Sequence, residues 1–293
     1  MAQMTYNAAH ELPIRVKHLR TGHINKLILS LGIVALAVLA VKLFLIERKA
    51  EPEQAPGTIL KNRSQFSAIP DFQAISDIAT KKQAFFDFLR PAIRHHNAVI
   101  SDERKFLEQS RLHLANQQPL SEAEAYRILQ LASKYQYSMR AATLESLDEL
   151  LTRVDTIPED LVLIQAANET GWGSSRFARE GMNFFGQWCF KKGCGLVPQS
   201  RTEGLSHEVA VFKSVEDSVG SYMRNLNSNA AYSLLRAIRA DLRAENQPVS
   251  ADKLVYGLMN YSERQEAYVE ELLDMLRHNN QFLVENHEQR PAV

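Results

Sequence analysis

Apolar positions follow three different patterns along the chain. Leu27 to Ile46 reads "LILSLGIVALAVLAVKLFLI", a stretch with a single charge at Lys42. About twenty such residues cross a bilayer, and Lys42 stands close enough to the far end for its ammonium to reach the headgroups. The pattern predicts a transmembrane helix over 27–46. Residues 47–70 then lose all period and carry Pro52, Pro56, Gly57 and Pro70, as a linker does. From Asp71 a spacing of three and four sets in: Phe85, Phe88, Leu89, Ile93, then Val99, Ile100, Phe106 and Leu107. Pro91 is expected to kink or divide that stretch. "SEAE", Ser121 to Glu124, is a capping box opening a helix from Glu122 to about Tyr135. Residues 71–145 are thus expected to form a helical N-terminal region, with Phe85 and Phe86 in the core. Adjacent helix positions point apart, so His95 and His96 are expected to be solvated and not metal ligands.

The third pattern breaks itself. "LVLIQAANETGWGSSR", residues 161–176, begins apolar and then places Glu169 directly before Thr-Gly-Trp-Gly. Asp155 or Thr156 is expected to cap this helix, Pro158 suits its first turn, and Glu159 and Asp160 suit its positive end. Leu161, Val162, Leu163, Ile164, Ala166 and Ala167 leave it apolar nearly all round, which predicts burial. Gly171 supplies the C-terminal stop. Glu169 then occupies the last turn, where the carbonyl end of the helix opposes negative charge, and Trp172 is expected to wall it off from water. Both effects raise a carboxyl pKa. A carboxylic acid kept protonated near neutral pH suits general-acid cleavage of a glycosidic bond. The plain alternative is a surface glutamate that ends a helix. Ser174 or Ser175 is expected to cap a short following helix, and "GMNFFGQWCFKKGCG" brings an aromatic, glycine-punctuated turn beside the acid.

Charge decides which side of the membrane these residues face. Arg15, Lys17, Arg20 and Lys26 precede the apolar run against Glu11 alone. The positive-inside rule puts residues 1–26 in the cytoplasm and everything beyond the run across the inner membrane, in the periplasm or outside the cell. A cleaved signal peptide, with Ala35-Leu36-Ala37 as a site, is the alternative, and it exports the same residues. A buried soluble helix is the third. The formal net charge is +0, which gives nucleic acid no purchase. Cys189 and Cys194 lack the further ligands a zinc site needs. They are either a disulfide in an oxidising compartment or two free thiols, and export favours the disulfide. Nothing calls for a metal or a cofactor.

Three blocks in order carry a family resemblance. "AANETGWGSSRFAREGMNFFG" resembles the A-x-x-E-[ST]-G-W-G and N-x-F-G signature of glycoside hydrolase family 73, the bacterial β-N-acetylglucosaminidases. "AVFKSVEDSVGSYMRNLNSNAAYSLLR" resembles the stretch of that family that ends in N-x-x-Y, and "NYSERQEAYVEELLDMLRHN" its closing Tyr-Ser/Ala…Tyr segment. The helical region before them and the W-C-F-K-K-G-C loop resemble the Bax protein subgroup. The resemblance implies a mainly α, lysozyme-like domain over 146–285 with a small loop or hairpin lobe, and a tail over 286–293. It implies hydrolysis of the β-1,4 bond after N-acetylglucosamine in peptidoglycan, with glycan strands and the inner membrane as partners and a regulatory protein partner left unidentified. The family is also described through mannosyl-glycoprotein endo-β-N-acetylglucosaminidases.

By the same resemblance Glu169 is the general acid and Tyr261 a group that holds the substrate or the reactive centre. Trp172, Asn183, Phe185, Gly186 and Tyr232 are the expected substrate contacts. A second carboxylate falls to Glu203, or less readily Glu208, with a solvated loop glutamate as the plain alternative for each; failing both, the acetamido group of the substrate itself can attack. Thr170 stands where many relatives carry Ser. The wide segment between Gly186 and Val211 is expected to form a flap over the cleft or to block it, stiffened by a Cys189–Cys194 disulfide, with Lys191 and Lys192 placed to meet anionic peptide stems. Two other functions fit parts of the pattern. A lytic transglycosylase would carry a G-L-M-Q block where N-F-F-G stands, and a non-catalytic wall-binding or scaffold protein would have no use for the acid.

Overall fold

A computed structural model describes residues 69–198 and 207–284. The expected transmembrane helix, nearly all of the linker, Glu203 and the tail lie outside the described residues. Among the described residues no helix is long and apolar enough to cross a membrane.

Asp77 accepts from the Thr80 backbone amide at 2.7 Å and so opens α1, Ile78–Ala115. Pro91 lies inside α1 and does not divide it. Its ring faces solvent, where water can serve the carbonyl that loses its amide partner, while Leu89, Ala92 and Ile93 anchor the helix on either side. Helix α2, Glu122–Lys134, begins with the capping box read from the sequence, Ser121 and Glu124 bonding reciprocally. Thr143 and Ser146 repeat the device for α3, Leu144–Arg153.

Helix α4, Glu159–Thr170, is the centre of the fold. Leu161 to Ala167 are all buried, as a helix apolar all round must be. Its N-cap is Pro158, which makes no side-chain cap. Asp155, expected there, is drawn off by Arg243 at 2.9 and 3.0 Å and Arg104 at 3.3 Å. Burial alone would raise the Asp155 carboxyl, but Arg243, Arg239 and Arg104 together hold it below its ordinary range. Glu159 instead ties the start of α4 to α1, through Arg94 at 2.7 Å and through Arg90.

The short α5, Arg176–Gly181, is capped by Ser175. Then come β1, Trp188–Cys189, β2, Gly195–Leu196, and β3, Glu208–Ala210. They form one small antiparallel sheet in the order β1-β3-β2, with Trp188 opposite Val209 and Gly195 opposite Ala210. Helices α6, Val215–Ser228, α7, Ser233–Ala244, α8, Ala251–Leu254, α9, Glu266–His278, and α10, Asn280–Leu283, complete a mainly α domain. Helices α1, α8 and α9 pack on α4.

The division expected at residue 145 is not a boundary in the fold. Helix α1 packs on α3, α4 and α6, and a single hydrophobic core runs from Phe72 to Leu283. Phe85 and Phe86 of α1 are fully buried, and Phe85 meets the Phe184 ring at 6.3 Å. Of His95 and His96, expected to be solvated, His95 stays exposed and His96 is partly buried, and both lie near α6. His95 Nε2 lies 3.3 Å from the Glu216 carboxylate and His96 Nε2 2.9 Å from the Glu216 carbonyl.

Candidate active site

The site starts where α4 stops. Gly171, Trp172 and Gly173 take left-handed φ values of 55°, 60° and 76° in succession. Thr170 braces this turn: its hydroxyl donates to the Ala166 carbonyl at 2.6 Å and accepts from the Gly173 amide at 2.8 Å. Both roles need only a β-hydroxyl, which Ser also has. The turn carries Trp172 onto α1, where the indole meets Phe86 at 5.2 Å and Phe85 at 5.9 Å, with Lys82 Nζ 5.0 Å from the ring centre. Glu169 itself is met by a group of tyrosines.

Tyr268, on α9, donates its hydroxyl proton to Glu169 Oε1 at 2.8 Å. Behind it, Gln165 Nε2 donates to the Tyr268 oxygen at 3.0 Å, and Tyr222 from α6 donates to Gln165 Oε1. Tyr261 stacks on Tyr268 with ring centres 5.6 Å apart and planes at 5°. On the other side Gly186 approaches closely, so that a Cβ there would lie 3.4 Å from Glu169 Oε2. Gly186 is exposed with φ 61°, and this side of the carboxyl opens outward.

Electrostatics follow from that enclosure. Burial raises the Glu169 carboxyl above its ordinary value; the Tyr268 hydrogen bond and Arg264 oppose the rise, and Glu271 adds to it. Arg264 and Glu271 pair at 2.5 Å. The hydroxyls of Tyr222, Tyr232, Tyr261 and Tyr268 are all held above the ordinary phenol range, mainly by burial, so they remain proton donors.

The other expected contacts divide between this cage and its support. Tyr261 donates to the Phe185 carbonyl at 2.7 Å, and Tyr232 is buried with its ring 6.0 Å from that of Tyr261. Phe185 is 1% exposed and stacked on Tyr222 at 3.9 Å, so its ring offers no open face to a sugar. Asn183 is likewise buried. Its amide donates to the Gln187 and Ala210 carbonyls, and its oxygen accepts from the Phe185 and Gln187 amides. It shapes the Gly186 turn and has no group left for a ligand.

Cys189 and Cys194 are joined in a disulfide with Cα atoms 6.2 Å apart. Glu208 is buried behind it and accepts from the Gly193 and Gly195 amides at 3.0 and 2.8 Å, which makes it a staple of the flap. Lys191 and Lys192 are exposed at the tip.

Tyr268, Gln165 and Tyr222 were not singled out from the sequence. Gln165 stands one helical turn before Glu169 and hence on its face, a signal that spacing alone carries. Tyr268 closes the same segment that Tyr261 opens. Nothing in the sequence separates the two tyrosines, because which of them reaches the acid depends on how α9 packs on α4.

Residues 144–281 match the glucosaminidase family, described as mannosyl-glycoprotein endo-beta-N-acetylglucosaminidase. Protein bax of Escherichia coli (strain K12) is 35% identical over 224 residues, covering 76% of this chain and 78% of that protein. No solved structure matches the chain.

Proposed function

Because the chain belongs to the glucosaminidase family, we propose that it is a membrane-anchored peptidoglycan hydrolase with Glu169 as its general acid. It is a glycoside hydrolase of the endo-β-N-acetylglucosaminidase type, and the bond it cleaves is the β-1,4 linkage after N-acetylglucosamine. The observation that carries the assignment of the acid is the two-sided environment of one carboxyl group. Glu169 is shielded and bonded by Tyr268 on Oε1, and meets the exposed Gly186 edge on Oε2. Burial raises the carboxyl above its ordinary value and so favours the protonated form, and the Tyr268 hydroxyl stabilises the carboxylate left once that proton passes to the leaving oxygen.

The arrangement is read as lysozyme-like, with the substrate lying between the helical body and the small sheet. Glu271 is the carboxylate whose charge bears on Glu169, but Arg264 holds it. The second group is therefore assigned either to Glu203, outside the described residues, or to attack by the acetamido oxygen of the substrate. Residues 27–46 serve as a single inner-membrane anchor that leaves the catalytic domain outside the cytoplasm.

The test is digestion of purified peptidoglycan by the wild-type protein and by Glu169→Gln, with products read by mass spectrometry after borohydride reduction. Reduced N-acetylglucosamine ends that vanish in the variant support the reading. Anhydro ends make the protein a transglycosylase, and binding without cleavage in both proteins makes it a wall-binding module.

A further inference from the structure

Taking Glu169 as the general acid, a premise on which this depends, we infer that Gln165 is a positioning residue that decides which oxygen of Glu169 carries the catalytic proton. The argument is one of donors and acceptors. Tyr222 is fully buried, and among the described residues its hydroxyl has no hydrogen-bond partner other than Gln165. A buried hydroxyl with one partner donates to it, since an unsatisfied O–H costs more than an unused lone pair. The Gln165 oxygen therefore faces Tyr222 and its NH2 faces Tyr268. Tyr268 accepts that N–H, and its single proton goes to Glu169 Oε1. With Oε1 occupied as an acceptor, the proton of the neutral acid sits on Oε2, at the exposed Gly186 edge where the substrate enters.

The reversed amide shows what the lock prevents. With its oxygen toward Tyr268, Gln165 would take the Tyr268 proton. The neutral Glu169 would then donate from Oε1 to Tyr268, its proton aimed into the core and away from any glycosidic oxygen. Tyr222, which makes no hydrogen bond to Glu169, is what excludes that arrangement.

The test uses Tyr222→Phe, which keeps the ring stacked on Phe185 and removes only the hydroxyl, in the full-length protein. Release of the amide lets the neutral acid adopt the misdirected form, so kcat on soluble glycan strands falls about tenfold with KM unchanged. The added stability of the neutral form moves the alkaline limb of the kcat profile to higher pH. The double variant Tyr222→Phe/Gln165→Met removes the amide that can turn and leaves Tyr268 with Glu169 as its sole partner. It recovers most of the lost kcat, whereas a merely structural role for Gln165 makes the double variant worse than the single. The Glu169 carboxyl is also titrated by 13C NMR, which needs no turnover. An upward shift in Tyr222→Phe that reverts in the double variant upholds the inference even if no glycan is cleaved, in which case only the functional reading falls. Normal cleavage with an unmoved titration and an unmoved alkaline limb in Tyr222→Phe overturns the inference and leaves the function standing.

Discussion

Phe72 occupies the space that a side chain at Gly173 would need: a Cβ there would lie 2.4 Å from Phe72 Cδ2. Gly173 also holds a left-handed φ of 76°. The second glycine of the E-T-G-W-G block is thus required twice over, by backbone conformation and by a ring contributed from just over a hundred residues earlier. Gly173→Ala is expected to cost about 2 kcal/mol or more, from strain and overpacking together. Thermal unfolding reads this directly, and a melting temperature equal to wild type would mean that the turn yields without cost.

The same contact makes the N-terminal helices part of the core on which α4 is packed. Phe85, Phe86, Leu89 and Ile93 are each 0% exposed in the core that also holds Leu161 to Ile164 of α4. Burial of each such side chain contributes about 1.5–3 kcal/mol, against a net stability for a domain of roughly 5–15 kcal/mol. A protein lacking residues 71–145 is therefore expected not to fold. Circular dichroism and limited proteolysis would show this, and a cooperative transition with retained glycan cleavage would overturn it.

Glu169 is expected to cost stability near neutral pH. Its folded pKa lies above the ordinary 4.5 because of burial. As pH rises past 4.5 the unfolded chain gives up this proton while the native protein keeps it, so the contribution of the group to stability falls with rising pH. Glu169→Gln keeps an acceptor for Tyr268 and removes the buried titration. The variant is expected to melt higher than wild type near neutral pH and to converge with it below about pH 4. A variant less stable than wild type at pH 7 would show that the carboxylate is well solvated.

Tyr268→Phe removes the hydrogen bond that opposes this shift. The Glu169 pKa then rises further, and the alkaline limb of the pH–rate profile, which reports loss of the acid proton, moves up with it. The carboxylate left after proton transfer also loses its donor, so kcat falls by about 10². A lower rate with an unmoved limb would assign Tyr268 to packing alone.

How far the sequence leads depends on whether an interaction is local. The helix patterns, the Ser121–Glu124 box, the Gly171 stop and the burial of α4 all follow from neighbours within a few positions, and all are present. The position of Glu169 in the last turn of a buried helix was legible because a carboxylate there is locally anomalous. Asp155 was misread as a cap because its real partners, Arg239 and Arg243, lie more than eighty positions away. The aromatic partners of Trp172 were hidden for the same reason: two left-handed residues beside it redirect the chain, and those partners sit on α1. Asn183 and Phe185 bear side chains that elsewhere grip sugars, and only their filled hydrogen bonds and covered faces reveal a supporting role.

Among the described residues the disulfide and Glu208 hold the flap beside its strand pairing, and the two should separate experimentally. The Cys189–Cys194 bond closes a five-position loop, a constraint worth about 2 kcal/mol by chain entropy. Glu208, buried behind the loop, accepts two backbone amides, and hydrogen bonds to a charged group contribute about 1.5–3 kcal/mol each. The exposed Lys191 and Lys192 at the tip provide trypsin sites that report on opening. Reduction alone is expected to raise cleavage there only a few-fold, because Glu208 still fastens Gly193 and Gly195. Glu208→Ala in the oxidised protein should behave similarly, with the disulfide as the remaining tie. Reduction of Glu208→Ala should open the loop to rapid cleavage and lower glycan turnover, since the Gly186 turn is tied to this sheet through Asn183 and Ala210. Rapid cleavage on reduction of the wild type alone would show that Glu208 holds nothing by itself.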